Sequence, residues 1–151
     1  MQLFQSAEEI LDFAIGEEEK AQKFYLEMSE KVKNPAMAKT FKEFAAEESR
    51  HRVQLQRVKD GRKALLASEK MPDLKISDYL SEVEPSPDMD YQDALALAMQ
   101  NEKAAFKLYQ NLAQVTPSAE LQELFLALAQ EEAKHKLRLE LEYDEHILGE
   151  N

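Results

Sequence analysis

Two short stretches decide the reading of this chain: Glu47-Glu48-Ser49-Arg50-His51 and Glu131-Glu132-Ala133-Lys134-His135. In each, a glutamate and a histidine lie three residues apart, Glu48 with His51 and Glu132 with His135. On a helix that spacing puts carboxylate and imidazole on one face, about one turn apart. Glu132 follows Glu48 by 84 positions, and the same offset relates Leu11 to Leu95, Ala14 to Ala98, Glu18 to Glu102, Ala21 to Ala105, Tyr25 to Tyr109, Phe41 to Phe125 and Leu55 to Leu139. The chain therefore contains an internal repeat, and whatever one half builds the other should build again.

Working outward from these stretches, each half holds two seams of the kind that faces a bundle core. They run Leu11, Ala14, Glu18, Ala21, Tyr25, Met28, Val32 and then Met37, Phe41, Phe44, Glu48, His51, Leu55, Val58. The second half repeats them as Leu95, Ala98, Glu102, Ala105, Tyr109, Leu112 and Leu121, Phe125, Leu128, Glu132, His135, Leu139. Ser6 with Glu9 forms a capping box, Asp90 with Asp93 a weaker one, and Asn34-Pro35 and Thr116-Pro117 each set a cap before a proline at the first helical position. These signals predict four helices over roughly 7–33, 35–60, 91–115 and 117–147, with Gly61 stopping or bending the second. Three of the five prolines fall between Met71 and Met89, which reads as a crossover with a short helix begun at Ser77. The fold class is all-α: two antiparallel hairpins joined by a long crossover into one four-helix bundle, a single domain over residues 1–151.

Helix rise places the ionisable residues level with one another. At about 1.5 Å per residue, Glu18 and Glu48 both lie roughly 20 Å from the first turn, and Glu102 and Glu132 lie at matching depths beside the second. The long crossover then allows all six residues, Glu18, Glu48, His51, Glu102, Glu132 and His135, to share one layer. Buried carboxylates cost several kcal/mol each unless paired, and these seams offer no Lys or Arg to pair them. Four carboxylates are matched in charge by two divalent cations, and oxygen donors with one imidazole per ion suit iron or manganese, with zinc and cobalt also able to bind.

Composition supports this reading and removes others. Gly (3) and Pro (5) are scarce and Ala, Leu, Glu, Lys and Gln dominate, as in long helices. With no Cys, disulfides, thiol catalysis, thiolate zinc sites and iron–sulfur clusters are excluded. A formal net charge of −11 makes nucleic acid and anionic lipid poor partners. The absence of a basic N-terminal cluster and of any membrane-length apolar run predicts a cytoplasmic protein.

The arrangement of Glu18-x-x-Ala21-x-x-Phe24-Tyr25 and Glu102-x-x-Ala105-x-x-Leu108-Tyr109, each followed by its Glu-Glu-x-x-His segment, resembles the ferritin-like superfamily and, within it, the rubrerythrin-like proteins. The resemblance covers nearly the whole chain. It implies that Glu48 and Glu132 bridge two iron ions, that Glu18 and Glu102 each bind one terminally, and that His51 and His135 complete the two coordination shells. It also implies reaction with peroxide or oxygen, in peroxide reduction or ferrous iron oxidation. Two departures stand out: Ala105 occupies the position of an additional glutamate in rubrerythrins proper, and the Cys-rich rubredoxin domain is missing, so electrons would come from a separate protein. The symmetric six-residue set is similar to that of bacterioferritin. The alternative to an oxidoreductase is a non-catalytic divalent-metal carrier or sensor. Ferritin-like bundles commonly dimerise, which makes a homodimer an expectation, although no apolar surface stripe stands out in the sequence.

Four side-chain groups beside the six are read as lying outside the ligand set: Glu47 and Glu131 as solvated residues or supports of the ligands, the others as packing or helix-end residues. Tyr25 and Tyr109, two turns after a glutamate of the set, pack the core rather than serve the metal. Glu47 and Glu131 point about 100° away from their neighbours in the seam. His146 reads as a helix-end residue near the negative dipole. Met28, Met37 and Met99 read as core filler.

Overall fold

The computed structural model describes residues 6–61, 76–79, 89–116 and 118–149. Among them are four long helices, α1 (Ala7–Lys31), α2 (Pro35–Asp60), α3 (Tyr91–Val115) and α4 (Ala119–Gly149), and one 3-10 turn, Ile76–Tyr79. They form two compact units, one holding α1 and α2, the other the 3-10 turn, α3 and α4.

The first unit is a hairpin closed by a three-residue link. Ser6 caps α1 by accepting from the Glu9 N–H, and the acidic Glu8 and Glu9 complement the helix dipole. Asn34 caps α2, its Oδ1 accepting from the N–H groups of Ala36 and Met37, while Pro35 occupies the first turn, where no N–H is needed. The α2 helix ends at Gly61, whose N–H donates to the Arg57 carbonyl. Antiparallel register is set from within: Tyr25 stacks on Phe41 with ring centroids 6.0 Å apart, Phe44 meets Tyr25 edge-on at 5.3 Å, and Lys59 pairs with Asp12 near the open end.

The second unit repeats the plan. Asp90 caps α3 through the Asp93 N–H, and Tyr109 stacks on Phe125 at 6.4 Å, the repeat of Tyr25 on Phe41. One expectation fails at the turn. Thr116 ends α3, donating its N–H to the Leu112 carbonyl, and it is Ser118 whose Oγ accepts from the Leu121 N–H, so α4 starts at Ala119 rather than 117. Serine is as good a cap as threonine, and the chain uses the one that leaves Thr116 to close the preceding helix. Pro117 lies outside the described residues, as do most of the crossover residues between Met71 and Met89. Within that stretch the 3-10 turn appears where a short helix is expected, and Tyr79 is buried, its hydroxyl accepting from Asn111 Nδ2 at 2.8 Å.

Candidate metal centre

The seam residues are buried in both units, but each stripe is wider than the sequence reading. Ile10, Ile15, Ala45, Ala94, Leu97, Leu108, Ala113 and Ala129 join the core, whereas Ala21, Val32, Val58 and Ala105 are only half-buried. Met28 and Met37 are buried and Met99 half-buried. Embedded in this apolar stripe, Glu18, Glu48, His51, Glu102, Glu132 and His135 are all at most 2% exposed.

Each hairpin gathers three of them. Glu18 comes from α1 and Glu48 and His51 from α2, and the three offer donor atoms within 4.8 Å of one another. His51 Nδ1 lies 3.6 Å from Glu18 Oε1 and 3.6 Å from Glu48 Oε1. In the second hairpin, Glu102 from α3 meets Glu132 and His135 from α4 in the same way, with His135 Nδ1 3.5 Å from Glu102 Oε1 and 3.9 Å from Glu132 Oε1. Separations of this size are long for N–H···O hydrogen bonds. They suit ligands of a common ion: two donors each about 2.1 Å from a cation, at an angle near 115°, stand about 3.5 Å apart. Two carboxylates and one imidazole, without sulfur, form a donor set suited to iron, manganese or zinc.

The turns above and below each trio exclude water. Ala14 and Phe44 lie one turn from Glu18 and Glu48, Leu55 one turn beyond His51, and Ala98, Leu128 and Leu139 repeat these positions, all of them buried. Tyr25 and Tyr109 are buried against Phe41 and Phe125, the packing role expected of them. Glu47 and Glu131 are half-buried beside the trios.

The matching family model is that of rubrerythrin, over residues 9–83 and 93–151. The chain belongs to the rubrerythrin family. Two solved structures share its fold. One, described as a ferritin-like diiron-carboxylate protein from Thermotoga maritima, superposes with a TM-score of 0.81 at 24% identity over 97% of this chain and 99% of the other. A hypothetical protein from Pyrococcus furiosus gives a TM-score of 0.73 at 28% identity over 93% and 90%. No curated protein gives a significant match. This rubrerythrin-family chain thus has the ferritin-like four-helix fold, and a buried Glu/His trio stands in each of its hairpins. No helix among the described residues is long and apolar enough to cross a membrane.

A buried carboxylate at the far end of the second hairpin had no signal in the sequence. Glu142 is buried near the end of α4 and accepts from the Tyr91 hydroxyl at 3.0 Å, while His146 meets the Tyr91 ring edge-on at 5.1 Å. Burial, and then the hydrogen bond to Glu142, pushes the Tyr91 hydroxyl well above the usual tyrosine range. The repeat could not reveal it, because the equivalent positions in the first hairpin are Ala7 and Val58.

Proposed function

We propose that the protein is a di-iron carboxylate oxidoreductase that reacts with peroxide or oxygen, each of its two trios holding one iron ion. The observation that carries the reading is the duplication. The same three donors, in the same local geometry, are buried in both hairpins. Burying four carboxylates costs several kcal/mol apiece unless cations balance them. Glu18, Glu48 and His51 would hold one ion and Glu102, Glu132 and His135 the other.

When bound, iron supplies the redox chemistry that carboxylate and imidazole cannot. The chain's own part would be to fix the donors on helices and to keep the surroundings dry with Phe44, Leu55, Leu128 and Leu139. With no Cys among these 151 residues, electrons would reach the trios from a donor outside them, or ferrous iron would itself be the substrate oxidised.

The test is to load the purified protein with ferrous iron under anaerobic conditions, then add peroxide or oxygen in separate runs. Rapid growth of ferric absorbance in the near ultraviolet is expected. Two bound irons with no absorbance change would overturn the redox reading and leave a metal carrier or sensor, as would protein purified with zinc alone in the site.

A further inference from the structure

Four leucines of α4 are largely exposed: Leu126 at 49%, Leu137 at 58%, Leu141 at 51% and Leu148 at 71%. At 3.6 residues per turn they fall within about 60° of one another around the helix, in a row about 33 Å long. Gln130, Ala133 and Asp144 complete the same stripe. Single exposed leucines are ordinary, but an ordered row marks an interaction surface. The internal repeat supplies the control. At the positions of α2 equivalent to Leu126, Leu137 and Leu141 stand Lys42, Val53 and Arg57, so the hairpin folds without leucines there.

The spacing identifies what covers the row. Leu126, Leu137 and Leu148 are eleven residues apart, which makes the stripe symmetric under reversal about Leu137. An antiparallel second copy related by a two-fold axis at Leu137 sets Leu126 against Leu148 of the second copy and Leu137 against itself. It also sets Ala133 against Leu141 and Gln130 against Asp144, so apolar meets apolar and polar meets polar. Along one edge of the stripe run Lys136 and Glu140, which pair with each other within the helix, and in an antiparallel pair an edge meets its own counterpart. The axis brings Lys136 of one copy within about 3 Å, along the helix, of the level of Glu140 of the other, and the pair occurs twice. Although the chain carries −11, residues 130–141 hold three acidic and three basic side chains, which lessens repulsion where the copies meet. We propose that this face of α4 is a self-association surface on which a second copy of the chain docks antiparallel, centred on Leu137.

Sedimentation velocity on the full-length protein should show a dimer. Leu137→Glu places two carboxylates against each other at the axis and is expected to give a monomer with unchanged helical circular dichroism. Val53→Glu, at the equivalent position of α2, should leave the dimer intact. The register has its own test, because the chain has no cysteine. A single Leu137→Cys should cross-link efficiently to its copy with a short bis-maleimide, and a single Leu126→Cys, about 33 Å from its copy, should not. A wild-type chain that is monomeric at every concentration, even one that captures a different partner, overturns the proposal. So does a dimer indifferent to Leu137→Glu, or cross-linking at 126 as efficient as at 137. Should Leu137→Glu fail to fold, the cysteine pair decides.

Discussion

The two hairpins are copies that diverged unevenly, and where they still agree separates what the site requires from what the fold merely tolerates. Both retain the Glu, Glu, His trio, the stacked Tyr–Phe pair and the apolar turns around the trio. They differ beside these features: Phe24 and Phe44 of the first become Leu108 and Leu128 of the second, and the first has no equivalent of Tyr91, Glu142 or the leucine row. The shared part includes four buried carboxylates, the most costly residues to bury in this chain. Their retention in both halves, while inexpensive positions drifted, argues that something balances their charge.

The comparison can be broken most severely at the stacked pairs. Phe41→Ala and Phe125→Ala should each cost about 3–5 kcal/mol in denaturant unfolding, and by similar amounts, because each removes a fully buried ring from an equivalent place. A large inequality would show that the halves are not equivalent in packing. Phe44→Leu, which turns the first cluster into the second, should cost far less.

The trio should respond with opposite signs in the two metal states. Glu48→Gln with Glu132→Gln should raise the stability of the metal-free protein by about 1–4 kcal/mol, since buried charge is removed, and should abolish the stabilisation that metal gives the wild type. Thermal melts with and without chelator check both halves of this statement. A double variant less stable than wild type in chelator would mean that the carboxylates are structural.

Tyr91 sharpens the contrast, because its part-buried pair with Glu142 has no equivalent at Ala7 and Val58 of the first hairpin. Tyr91→Phe leaves Glu142 without its 3.0 Å donor and should destabilise by about 1–3 kcal/mol. The pH dependence follows from the direction of the shift. A hydroxyl whose pKa is raised in the folded state stabilises fully below the unfolded tyrosine value of about 10 and loses that contribution as pH rises above it. Wild-type stability should therefore fall above about pH 10, and less steeply in Tyr91→Phe. The smallest effect belongs to the caps: Asn34→Ala and Ser118→Ala should each cost about 1 kcal/mol.

Much of this was legible in the sequence, because helical periodicity and an exact internal offset are both one-dimensional signals. The seams located Glu18, Glu48, His51 and their repeats, and helix rise alone placed Glu18 level with Glu48 and Glu102 level with Glu132. What escaped were features without periodic or repeated signal. The choice of Ser118 over Thr116 depends on how the chain leaves α3. The Tyr91–Glu142 contact joins residues from opposite ends of a hairpin, with no counterpart in the other half. The leucine row was hidden because α4 is apolar on more than one face, and only solvent exposure separates Leu137 from Leu139 beside it.

The central claim, that two equivalent trios hold two ions, is tested most directly by counting metal. Wild type, His51→Ala and His135→Ala should be dialysed anaerobically against ferrous iron and analysed for iron per chain. The account predicts two ions in the wild type and a similar loss in both variants. One ion or none in the wild type, or wild-type content in both variants, would contradict it.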